Sequence, residues 1–121
     1  MVMPVLKTTH VTHEGDITFV QINPHNRSHY DLWMEKFCAN FSEDITDSGH
    51  TVIDMASLDW LPQPMLTTIM EIHHQKKSEG HRLILVGVHD DIMNFLSLVK
   101  MNKVFEIAEN DAEAVNMING L

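Results

Sequence analysis

Nine histidines in 121 residues are the first place to look for chemistry, because a neutral imidazole binds metals and titrates near neutral pH. His25 and His29 stand four apart, and His73 and His74 adjoin. A spacing of four brings two ligands together only on a helix, and His25 falls in a stretch, NPHNRS, that breaks regular structure. His73 and His74 point to different sides of a helix. No Cys-x-x-Cys or His-Glu-x-x-His pattern accompanies them, so they read as ordinary surface or half-buried histidines and no metal is expected. Cys38 lies within an aromatic stripe, which suits a buried structural thiol better than a nucleophile. Asp54 and Asp59 flank the end of an apolar segment, where open α/β sheets bind ligands. No partner base, acid or Gly-rich phosphate loop joins them, and no Gly-x-Ser-x-Gly elbow occurs, so structural or capping roles are expected. A small enzyme using the histidines is the weakest reading: neither catalysis nor a cofactor is expected. Three hydroxyls, Ser57, Thr67 and Thr68, border the stretch WLPQPMLTT; the serine reads as loop and the threonines as surface or half-buried helix positions.

The elements that must carry these residues follow from periodicity. The spans Leu6–Thr12 and Ile17–Ile22 are rich in β-branched residues and flank a turn at HEGD, which predicts two strands. In the second, Ile17, Phe19 and Gln21 face one way and Thr18, Val20 and Ile22 the other. Asn23, Pro24 and Asn26 then interrupt the chain. Tyr30, Trp33, Phe37 and Phe41, with Met34 and Cys38 beside them, make one apolar helical stripe, with Ser28 as N-cap and Asp31 in the first turn. SEDITDSGH reads as a polar loop, and TVIDM as a short buried strand. After WLPQP a helix runs to Glu79 with Leu66, Ile69, Met70, His73 and Lys77 on one stripe and Met65 and Ile72 beside it; Gly80 ends it. RLILVGV is a second buried strand. DDIMNFLSLVKM is a helix with Ile92, Phe95, Leu96 and Val99 inward. VFEI is a last strand, and NDAEAVNMI a closing helix capped by Asn110 or Asp111. The order β-β-α-β-α-β-α-β-α predicts an α/β fold, a single domain over residues 1–121 with a mixed, mainly parallel sheet.

Composition excludes several partners. Hydrophobic residues at 44% can build a core, and 21% charged residues argue against a disordered chain. A net charge of -9 repels phosphate backbones and anionic lipid, so nucleic acid is a poor partner and a basic protein surface a better one. One cysteine allows no internal disulfide and favours a reducing compartment. The start MVMPVLKTTH has no signal-peptide pattern, and no apolar run approaches ~18 residues. A cytoplasmic location without membrane insertion is expected. The nine methionines read as core filler, although a cluster near Met65 offers an adaptable contact surface instead.

Three stretches together resemble the STAS domain, the fold of bacterial anti-sigma-factor antagonists. They are TVIDMASLDWLPQPMLTTIMEIHHQKKSEG, HRLILVGVHDDI and FLSLVKMNKVFEIAENDAEAV. The first resembles the family's strand ending in aspartate, with Val52, Ile53, Asp54 and Met55, then an apolar-aromatic pair, Trp60 and Leu61, then a helix ending at Gly80. The resemblance covers about Thr51 to Val115; the N-terminal half matches in element order alone. It implies a non-enzymatic interaction domain in a partner-switching pathway that regulates transcription, with an anti-sigma factor or kinase-like protein as partner. It also implies that the partner binds at Pro62, Gln63, Pro64, Met65, Leu66 and Thr67, with Asn26 and His89 beside them. The family's motif there is an aspartate, two hydroxyl residues and Gly-Leu-Gly; only Leu66 survives. Phosphoryl transfer needs an acceptor hydroxyl, and Gln63 is an amide between two prolines, so no phosphorylation is expected at this degenerate site. Pro64 is expected at the first helical position. An accessory subunit of a transporter or sensory scaffold is the alternative reading. A homodimer through the N-terminal strand edge or the Trp60 region remains open.

Overall fold

A computed structural model describes residues 8–23, 30–45 and 49–120. Strand β1 (Thr9–Glu14) and strand β2 (Ile17–Ile22) form an antiparallel pair joined at Gly15, whose φ of 63° makes the tight turn. Helix α1 (Tyr30–Ile45), strand β3 (His50–Asp54), helix α2 (Gln63–Ser78), strand β4 (Leu83–Val86), helix α3 (Asp90–Leu98), strand β5 (Glu106–Ala108) and helix α4 (Asp111–Asn119) follow. The five strands lie in sequence order, β2 to β5 parallel to one another. The expected α/β class and element order hold.

This order decides where the core sits. Crossovers of one hand between adjacent parallel strands put their helices on one face of the sheet. Accordingly Val20, Ile22, Ile53, Leu83 and Leu85 form one apolar cluster with Trp33, Phe37, Phe41, Met65, Ile69, Ile92 and Leu96 from α1, α2 and α3. The opposite residues, Ile17, Val52, Ile84, Val86 and Ala108, meet Ala114 of α4. Alternation along β2 follows the expected division. Trp33, Phe37 and Phe41 stack in a row, with ring centroids 5.5 and 4.7 Å apart.

Several boundaries differ from expectation. β1 runs from Thr9 to Glu14 rather than Leu6 to Thr12, and Leu6 lies outside the described residues. α1 continues through SEDI, where a loop is expected from the polar residues, because Ile45 repeats the stripe four residues after Phe41 and is fully buried. Its expected cap, Ser28, lies outside the described residues. The buried stripe of α2 is rotated: Met65, Leu66, Thr68, Ile69, Ile72, His73 and Lys76 are covered, whereas Lys77 is exposed. α2 packs on α1 as well as on the sheet, and Thr68 lies on the α1 side, where its hydroxyl meets Cys38. α3 ends at Leu98, so Val99 is its C-cap and is exposed rather than inward. β5 begins at Glu106, after Phe105 has turned into the core.

Candidate partner-binding site

Parallel strands followed by helices gather the helix N-termini at one edge of the sheet, beyond the strands' C-terminal ends. Here the β3–α2 connection is built first. Met55 N–H donates to Val86 O at 2.9 Å and prolongs the pairing with β4. Asp54 Oδ1 accepts from Ala56 N–H at 2.9 Å, and Leu58 N–H donates to Met55 O at 3.0 Å. Met55, Leu58 and Leu61 are buried, so the loop is pinned at each end and in the middle. Trp60 remains 46% exposed and stacks on Tyr30, with centroids 6.0 Å apart. The β4–α3 connection closes on this loop: His89 Nε2–H donates to Ala56 O at 2.6 Å. Gly87 lies beneath, and a Cβ there would meet Ala56 Cβ and Asp54 Oδ1 at 3.0 Å.

The entrance of α2 carries two prolines. Pro62 is the N-cap with extended backbone, φ -61° and ψ 147°, and makes no side-chain cap. Gln63 is the first helical residue and Pro64 the second, one place later than expected. Proline in the first turn costs no intrahelical bond, since those N–H groups lack helical partners. It does remove one of the N–H groups that a helix start can offer to an anion. Gln63 and Pro64 are exposed, with Thr67 one turn on. Pro62, Met65 and Leu66 are buried. They therefore shape this entrance from below, and Met65 forms no exposed methionine surface. Asn26 lies outside the described residues. His89 is exposed beside the entrance.

The two threonines part company. Thr67 faces solvent, whereas Thr68 is buried and its hydroxyl donates to Pro64 O at 2.9 Å. Cys38, half-buried on α1, lies 3.4 Å from the same hydroxyl. Thr68 and Cys38 thus join α2 to α1 behind the entrance, a link invisible to periodicity because 30 residues separate them.

The candidate ligands of the sequence are dispersed. Among the described residues no three His, Cys, Asp or Glu side chains converge as a metal site, and His25 and His29 lie outside that range. His73 is buried against Phe105 at 5.3 Å between centroids, and its Nδ1 has no hydrogen-bond partner among the described residues. Burial first, then the charges of His74 and Lys77, hold its pKa below the usual imidazole value, with Glu106 opposing. His50 Nδ1 accepts from Arg82 N–H at 3.0 Å at the far edge of the sheet. Asp54 and Asp59 do not share a cleft: Asp54 lines one with Gly87, Glu109 and Asp111 on the α4 side, and Asp59 lines another with Trp60, Leu61, Asp91 and Phe95. Partial burial, then the charge of Asp54, raise the Asp111 carboxyl above its usual value. This pairing across β3 and α4 had no signal in the sequence.

No protein-family model matches the sequence, and no curated protein matches it. Solved structures do. A STAS-domain anti-sigma-factor antagonist protein from Planctomyces limnophilus superposes with a TM-score of 0.73 at 14% identity, covering 92% of this chain and 97% of that one. The anti-sigma factor antagonist SpoIIAA in its unphosphorylated form gives 0.70 at 10% identity, covering 93% and 97%. The murine anion transporter Slc26a9 gives 0.62 at 13% identity, covering 91% of this chain but 19% of the transporter. Likeness at such low identity speaks for architecture, and it is consistent over nine-tenths of the chain: this protein has the STAS-domain fold.

Proposed function

We propose that the chain is a non-enzymatic interaction module that presents the α2 entrance to a protein partner of the anti-sigma-factor or kinase-like type. The observation that carries this reading is the exposed Gln63–Pro64 shelf, held from beneath by buried Pro62, Met65 and Leu66 and flanked by Thr67 and His89. A fixed shelf with a mixed polar and apolar surface binds by shape and loses little conformational entropy. The entrance is not a phosphorylation switch on this reading. Gln63 offers no hydroxyl, Pro64 removes an N–H that would hold a phosphate, and the Thr68 hydroxyl is buried on Pro64 O. Binding is then constitutive and set by abundance.

The test is binding to an anti-sigma kinase-type protein, followed by pull-down and calorimetry. Gln63→Arg and Thr67→Arg are expected to abolish binding with an unchanged circular dichroism spectrum, while Thr12→Arg on β1 leaves it intact. Stoichiometric phosphate on the α2 entrance after incubation with that kinase and ATP would overturn the unswitched part. The likeness to one segment of Slc26a9 supports the second reading, an accessory domain of a transporter or scaffold. Capture of a membrane protein in place of a kinase would favour it.

A further inference from the structure

The two ends of α3 carry opposite chemistry. At its N-terminal end Asp59, Asp90 and Asp91 are exposed around Trp60, and Trp60, Leu61, Ile92 and Phe95 line a cleft with Asp59 and Asp91. No lysine or arginine occurs in residues 51–64 or 88–98. At the C-terminal end the signs reverse. Leu98 is 85% exposed, Val99 45% and Val104 37%, and Lys100 and Lys103 stand exposed among them. No acidic residue occurs in residues 96–105. Large exposed hydrophobic side chains number five among the described residues; three are at this basic end and Trp60 is at the acidic one. The pattern is concentrated rather than scattered.

The basic end is also a place where local conformation is unfavourable. Lys100 has a φ of 62°, and it is the sole non-glycine residue among those described with positive φ. Lys100 N–H donates to Ser97 O and Met101 N–H to Leu96 O, the left-handed helix ending that glycine normally makes. A lysine held where glycine fits better puts a cation at the lip of the Leu98–Val104 patch.

We propose that these two ends are the halves of one head-to-tail contact between copies of this chain. Leu98, Val99 and Val104 of one copy cover Trp60 and Phe95 of the next, and Lys100 and Lys103 meet Asp59 and Asp91. The occupant is a second copy because the chain itself carries the complementary charge and the complementary apolar surface. Its net charge of -9 disfavours an anionic lipid or nucleic acid at the same patch. A helix of nine residues, ~13 Å long, separates the two halves, and the proposed contact takes one half from each copy, which makes it heterologous and builds rows or rings. This inference does not rest on the identity of the partner at the α2 entrance.

Sedimentation equilibrium and light scattering of the full chain test it. The mass is expected to rise with concentration, and the association to weaken about tenfold or more from ~50 to ~500 mM salt, because exposed charge pairs are screened. Lys100→Glu with Lys103→Glu, and separately Asp59→Lys with Asp91→Lys, should each remain monomeric while keeping a native circular dichroism spectrum. Mixed in equal amounts the two variants restore association, since the unaltered head of the first meets the unaltered tail of the second and the acidified tail of the first fits the basified head of the second. Adding Leu98→Ser to both variants removes that rescue. A monomeric wild type at millimolar concentration overturns the proposal. So does association that survives in either variant alone, or a mixture that stays monomeric.

Discussion

Gly87 shows how one residue fixes the site. Its φ is 66°, and a methyl group there would press on Ala56 and Asp54 at 3.0 Å, where Asp54 already accepts the Ala56 N–H. Gly87→Ala is therefore expected to cost about 1–3 kcal/mol in urea unfolding, from strain and overpacking together. A loss below a few tenths would show that the loop moves aside freely. In the sequence Gly87 looked like one more member of an apolar run, because the residues that crowd it come from another strand. His73 was more legible, since its place on a helical stripe with Leu66 and Ile69 marked it as facing inward. Its buried Nδ1, without a hydrogen-bond partner among the described residues, gives a pH signature. With a native pKa held below 6.5, the contribution of His73 is complete above that value. It is lost as pH falls, because the unfolded chain takes up a proton that the native state resists. His73→Gln should flatten the decline in stability between about pH 7 and pH 5; an unchanged slope would place His73 in a solvated pocket.

At the scale of elements, strands and helices were readable because each carries its own period, and what escaped was set by neighbours. Ile45 lengthens α1 beyond its polar SED because the sheet covers that last turn. Thr68 is buried because α1 closes over one flank of α2, where Cys38 meets its hydroxyl. Of the residues expected at the partner contact, Gln63, Pro64, Thr67 and His89 reach the surface among those described, whereas Pro62, Met65 and Leu66 are covered by their neighbours. The ending of α3 makes a quantitative case. A left-handed lysine costs roughly 1 kcal/mol relative to glycine, so Lys100→Gly is expected to raise stability by about that amount. The same substitution removes a cation from the basic end and should weaken self-association. Chemical denaturation and light scattering on one sample separate these effects; a destabilised variant would show that the lysine stem packs on the fold.

The whole molecule is lopsided, and its dynamics should be too. Three helices cover one face of the sheet with a large apolar cluster, whereas α4 alone serves the other. Only Ala114 of α4 is fully buried. Its ends are held by hydrogen bonds: Asn110 Oδ1 accepts the Glu113 N–H at 2.9 Å, and Arg82 donates to Met117 O while gripping Glu106 of β5 with two nitrogens. Hydrophobic burial scales with area, so the layer with less of it opens at lower free energy than the strands it covers. Native-state hydrogen exchange is expected to show amides of residues 114–118 exchanging through an opening that leaves β3 and β4 protected. Arg82→Ala should lower that opening energy further, by about 1–3 kcal/mol for the charged hydrogen bond lost at the last turn, with little change at Val52 to Ile53. Because Asp54 and Asp111 line neighbouring walls of the α4 cleft, such an opening would also release the constraint on the Asp111 carboxyl. If α4, β3 and β4 exchange with one common free energy, the two layers form a single cooperative unit, and the light packing of α4 carries no dynamic consequence.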